Sequence, residues 1–125
     1  WLEVTTLLIP DENDSSAEIE AMCQWYMEHL GPTVPLHFTA FHPDWKMRDK
    51  QKTPLSTLLN EQKIAKEAGI YHVYAGNVHD IESATTYCHQ CNRALIRRDW
   101  HTILIRSLTD QSSCPTCGAS CHGVF

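Results

Sequence analysis

No run in this chain is long and apolar enough to span a bilayer, which excludes a helical membrane protein. The N-terminus, Trp1-Leu2-Glu3-Val4, carries neither a basic region nor a small-residue cleavage site, so no secretory leader is read there and the expected compartment is the cytoplasm. An initiating methionine is missing too, and the first residues already read as a strand, which suggests a piece of a longer polypeptide. Basic charge is scarce. Residues 1–85 hold six Lys/Arg against 13 Asp/Glu, a balance of −7, and residues 86–125 hold four arginines against two aspartates, a balance of +2. Neither half is basic enough to call for nucleic acid. A disordered composition is absent as well: 125 residues, 42% hydrophobic and 20% charged, make one ordinary core plus a small appendage.

What is present begins with cysteine. Four of the six form two Cys-x-x-Cys pairs, Cys88/Cys91 and Cys114/Cys117, with 22 residues between the pairs. Without a secretory signal this pattern points to a metal in a reducing compartment rather than to disulfides. Ala94–Arg97 and Thr102–Arg106 read as two short strands around an Asp99-Trp100 turn. Two knuckles joined by a hairpin make a zinc ribbon, four thiolates placed tetrahedrally about Zn²⁺. Cys121 and His122 follow closely and compete as ligands, and an iron–sulfur cluster on Cys114, Cys117 and Cys121 is an alternative that leaves the first pair without its partner. Zinc catalysis fits poorly, because four thiolates leave no open position for water.

The first 79 residues follow a different pattern. Glu3–Ile9 is rich in β-branched residues and is closed by Pro10, and it reads as a strand. Ser15 with Glu18 fits a capping box for a helix with the stripe Ile19, Met22, Cys23, Tyr26 and Leu30, ended by Gly31-Pro32. Cys23 reads as a small buried hydrophobe on that stripe. Leu36, Phe38 and Ala40 alternate with His37, Thr39 and Phe41 in a second strand, which His42-Pro43 stops. Asp44, Trp45 and Lys46 then fall in a loop past its carboxyl end, where α/β folds bind ligands. Thr53-Pro54 looks like an N-cap with proline in the first helical position, opening a helix to Ala68 that turns Leu55, Leu58, Leu59 and Ala65 to the sheet. Ile70–Gly76 is a third strand with Asn77 at its exit. Strand–helix–strand–helix–strand implies three parallel neighbours. Thr5, His37, Thr39 and Tyr74 would then line a polar interior, as in part of a β/α barrel. The expected organisation is residues 1–79 as the α/β unit, 80–86 as a linker and 87–125 as the ribbon. Among the remaining histidines, His29, His72, His79, His89 and His101 read as ordinary surface or strand residues.

Glu3–Pro10, Asn13-Asp14, the block Pro35–Met47, Tyr74–Val78 and the two-pair cysteine tail, in that order, resemble the C-terminal part of the AmmeMemoRadiSam-system radical SAM enzymes, which are similar to pyruvate formate-lyase activating enzymes. The resemblance runs over essentially the whole chain. It implies a βαβαβ back half of a partial (β/α)6 TIM-like barrel followed by the ribbon. In the intact enzyme it further implies a [4Fe–4S] cluster on a Cys-x3-Cys-x2-Cys motif that cleaves S-adenosylmethionine. That motif is absent here, so the chain by itself is expected to be inactive, with no catalytic residue of its own and the N-terminal half of its barrel as its partner. By the same resemblance Ile9, Pro10, Phe41 and His42 border the adenosylmethionine, and His37, Asp44, Trp45, Lys46 and Asn77 line the substrate cavity, a protein being one candidate substrate. Asp11 stands where related activating enzymes often carry glycine. The alternative is a zinc-ribbon module that binds nucleic acid or protein on an α/β scaffold; four arginines without an aromatic stacking platform make the nucleic-acid version thin.

Overall fold

A computed structural model describes residues 1–124 as a mixed α/β chain with two three-stranded sheets and two helices. The elements are β1 (Val4–Leu8), α1 (Ser16–His29), β2 (Leu36–Ala40), α2 (Leu55–Glu67), β3 (Val73–Gly76), β4 (Thr86–Tyr87), β5 (Ala94–Asp99) and β6 (Thr102–Arg106). β1, β2 and β3 lie side by side in chain order, all parallel, with Val4 opposite Leu36 and Leu36 opposite Val73. Among the described residues no helix is long and apolar enough to cross a membrane.

Alternation along the strands decides which face the helices cover. Leu8, Leu36, Phe38, Ala40, Val73 and Ala75 are buried in one core with Ile19, Cys23 and Tyr26 of α1 and Leu58 and Ala65 of α2. The residues between them, His37, Thr39 and Tyr74, point the other way. Ser15 caps α1 as its sequence predicts, accepting from the Glu18 amide at 3.4 Å, and its hydroxyl donates to the Glu18 carboxylate at 2.6 Å instead of leaving that carboxylate to reach back to the cap's own amide. Gly31, at φ +77°, turns the chain out of the helix with its amide on the Tyr26 carbonyl. Cys23 is fully buried, and burial first, then Glu61, pushes its thiol up to about 11, so it is inert packing.

α2 departs from its expected stripe. Leu58 and Ala65 face the sheet, but Leu55 and Leu59 are exposed and their place is taken by Glu61 and Gln62. Gln62 is buried because its amide serves the sheet edge, donating to the Val73 carbonyl at 2.6 Å and the Ser83 carbonyl at 3.3 Å. Ser83 in turn accepts from the Ala75 amide at 3.2 Å, so the outer edge of β3 is sealed by the segment that follows it. Residues 80–86 are therefore not a loose polar connector: Ser83, Thr85 and Thr86 are buried and β4 begins within them. The outer edge of β1 pairs with no further strand among the described residues; only the Asn13 side chain reaches its end, accepting from the Ile9 amide at 2.7 Å and donating to the Leu7 carbonyl at 3.0 Å.

Glu61 is 2% exposed, with one carboxylate oxygen accepting from Asn60 at 3.1 Å and the other without a partner among the described residues. Burial raises its pKa, the Asn60 bond offsets part of that, and Asp14 and Glu20 raise it further. For a carboxyl raised in the folded state, the stabilising contribution is full below the unfolded value of about 4.3 and is lost as pH climbs through the folded one. Glu61→Gln should therefore stabilise the helix–sheet unit by about 1 kcal/mol near neutrality and by much less under mild acid. Urea melts followed by helical circular dichroism at the two conditions check this; an equal gain in both would contradict it.

Candidate metal centre

The four cysteines of the two knuckles converge. Their sulfurs all lie within 4.8 Å of one another, Cys88 Sγ 3.5 Å from Cys117 and Cys91 Sγ 3.6 Å from Cys114. A tetrahedral ion with metal–sulfur bonds of about 2.3 Å sets its ligands roughly 3.8 Å apart, close to what these thiols already adopt. None is in a disulfide. Each knuckle is built the same way: the Cys88 carbonyl accepts from the Asn92 amide at 2.9 Å and the Cys114 carbonyl from the Gly118 amide at 2.9 Å. The residue just past each second cysteine is left-handed, Asn92 at φ +55° and Gly118 at φ +77°. A side chain at Gly118 would meet nothing within 4 Å, so its backbone conformation alone asks for glycine. Burial works against ionising Cys114, but the Cys117 and Thr116 amides and the neighbouring thiols outweigh it and hold it down at about 6. The Ala119 amide works to lower Cys117, but burial first and then the thiols of Cys88, Cys91 and Cys114 push it up to about 12. A set of four such thiols could hold a metal ion, and a dication is what would let all four ionise together.

Cys121 is buried beside this group without belonging to it, and His122 stays outside it as well. His122 joins a second cluster between the knuckles and the parallel sheet. His89 stacks on Tyr71 with ring centroids 4.0 Å apart, and His122 lies 6.3 Å from His89. His72, expected at the surface or in a strand, is 3% exposed, and neither ring nitrogen has a partner among the described residues. Burial, then His122 and His89, pushes its pKa down to about 4, so it packs as a neutral ring.

The other candidate residues fall into two groups. His37 and Asn77 line a cavity of about 860 Å³ between the helix-free face of the sheet and the ribbon. His37 Nε2 lies 3.0 Å from the Glu3 carboxylate and its ring 5.1 Å from that of Tyr74, while Asn77 donates to the Ala40 carbonyl at 3.2 Å. Ile9, Pro10, Phe41, His42, Asp44, Trp45 and Lys46 do not line this cavity; they gather at the carboxyl ends of β1 and β2. Phe41 is buried, its amide held by Thr53 Oγ1 at 2.9 Å, and the same hydroxyl donates to the Leu8 carbonyl at 2.6 Å. Thr53 thus ties two strand exits together instead of capping α2, whose N-cap is Pro54. Lys50 pairs with Glu12 across the same two loops. His42 is exposed, Trp45 is 73% exposed at φ +44°, and the Lys46 ammonium sits 4.4 Å above its ring. Asp11 adopts φ +65°, the conformation glycine would supply. Sequence reasoning missed Arg98, which reaches the cavity from β5.

No family model matches the chain, and no solved structure matches it. An uncharacterized protein of Methanocaldococcus jannaschii, MJ0808, is 38% identical over 119 residues, which make up 94% of this chain and 36% of that protein. The chain spans about a third of the length of this curated relative.

Proposed function

We propose that the chain is the C-terminal part of a radical SAM enzyme of the activating-enzyme type, its parallel strands the last three of a partial (β/α)6 barrel. The observation that carries this reading is the asymmetry of the sheet. Its β3 edge is covered by Ser83, while its β1 edge pairs with no further strand among the described residues and is met only at its end by the Asn13 side chain; its helix-free face is polar and fronts a cavity. A sheet of this kind accepts further parallel strands on the β1 side only, which is where the N-terminal half of a barrel would join. The left-handed backbone at Asp11 supports the resemblance at the position where its residue departs from glycine.

In the intact protein, located in the cytoplasm, a [4Fe–4S] cluster held by upstream cysteines would supply the radical chemistry on S-adenosylmethionine. This chain's residues bind and orient. Ile9, Pro10, Phe41 and His42 border the adenosylmethionine; His37, Asp44, Trp45, Lys46 and Asn77 face the substrate. The four-thiol group holds Zn²⁺ in a closed, structural role. A second reading, a ribbon that docks a protein partner, is favoured by β6, where Ile103, Leu104 and Ile105 are about half exposed beside an exposed Trp100.

The test is to express the full-length polypeptide anaerobically and assay it, reduced, with S-adenosylmethionine. The expected result is a cluster absorbance and 5′-deoxyadenosine formation, both lost on truncation to residues 1–125. A full-length sequence without Cys-x3-Cys-x2-Cys, or one that assembles no cluster, would overturn the reading.

A further inference from the structure

The cavity between sheet and ribbon is of small-molecule size. Its charged groups are unequally satisfied. Glu3 accepts from the Trp1 indole at 2.8 Å and meets His37 at 3.0 Å, and Asp80 accepts from the Ser83 amide at 2.8 Å. Arg97 lies outside the cavity and pairs with Glu82 at 2.6 Å. Arg98 lines it, half-buried, and among the described residues its guanidinium has only neutral partners: Nη1 donates to Thr86 Oγ1 at 2.9 Å and to the Ala84 carbonyl at 3.4 Å. The Tyr74 hydroxyl shares the same Thr86 oxygen at 2.9 Å, so ribbon and sheet fix the guanidinium from both sides.

A cation drawn partly out of water without a counter-charge is costly, and a planar guanidinium whose Nη2 and Nε are unengaged among the described residues presents the fork that a planar or tetrahedral oxyanion takes. We propose that Arg98, held by Thr86 with Tyr74 alongside, anchors the carboxylate or phosphate group of a small ligand in this cavity. The site needs only residues of this chain, so it stands or falls apart from the barrel reading.

The test uses the metal-loaded 125-residue chain, titrated separately with inorganic phosphate and with succinate and followed by ¹⁵N–¹H spectra that include the Arg98 side chain. A saturable shift at Arg98 Nε and at the Thr86 and Tyr74 amides is expected with at least one probe, and the tighter probe identifies phosphate or carboxylate as the group recognised. Arg98→Gln should weaken that binding about tenfold or more, Arg98→Lys less, and Arg97→Gln should leave it unchanged. Because Arg98→Gln also removes a ribbon contact, its metal content is measured alongside, and the wild-type shift map decides independently if that variant does not fold. Shifts confined to surface lysines, no saturation at Arg98 with either probe, or equal binding by folded Arg98→Gln would overturn the proposal.

Discussion

Serine in place of Cys88 or Cys114 is expected to strip the bound metal from the chain and unfold the ribbon while leaving the helical signal of the parallel unit largely in place. The ribbon has little else to hold it. Its buried cluster is Cys88, Leu95, Ile96, Cys114, Ala119 and Cys121, so half of the cluster is cysteine. Every residue of β6 is exposed. In such a unit the metal-binding free energy, of order 10–16 kcal/mol for zinc-finger peptides, is the folding free energy. Elemental analysis should give about one zinc per wild-type chain and almost none in either variant, with collapse of the ribbon's amide dispersion. Cys23→Ser, in the other core, should keep its zinc. Stoichiometric iron with sulfide in the wild type, or unchanged metal in Cys88→Ser, would sink the structural-zinc reading.

Thr53→Val should cost the parallel unit about 3 kcal/mol. Valine matches threonine in shape but abandons the buried Phe41 amide and the Leu8 carbonyl that one hydroxyl now serves. Each buried group left unpaired costs about 1–3 kcal/mol. Thr53→Ser keeps both bonds and should lose only about 1 kcal/mol through its missing methyl. The urea midpoint read by circular dichroism separates the two. A valine variant as stable as wild type would mean that the Glu12–Lys50 pair and Asn13, whose side chain accepts from the Ile9 amide and donates to the Leu7 carbonyl, hold these strand exits instead.

What could be read from the sequence is what depends on local rules. The three parallel strands followed from alternation and punctuation, and the α1 cap followed from Ser15 and Glu18. The four-cysteine group was legible because each Cys-x-x-Cys pair is a local spacing that a single turn can bring to one metal. Roles set by long-range geometry were not legible. Thr53 before a proline looks like a cap, and only the approach of Leu8 and Phe41 turns it into a tie. Leu55 and Leu59 lost the sheet to Glu61 and Gln62 because the β3 edge needed the Gln62 amide, which no periodicity announces. Arg97 and Arg98 look equivalent, and the register shift between them, with Arg97 opposite Ile105 and Arg98 opposite Ile103, hides which one turns to the cavity. His42, Trp45 and Lys46 sit at a strand exit as expected, yet in this chain the large cavity opens on the flank of the sheet and not on that loop.

The stack of Tyr71 on His89 carries a thermodynamic obligation. Tyr71 lies two residues before the start of the third parallel strand, and His89 sits inside the first metal knuckle. If ordering the knuckle by its ion favours the stacked arrangement and so steadies the sheet, then by linkage ordering the sheet must tighten the hold on the ion by the same factor. Metal affinity would then be a property of the whole chain, and a strand added along the β1 edge would act, from across the molecule, as an effector of four thiols it never touches.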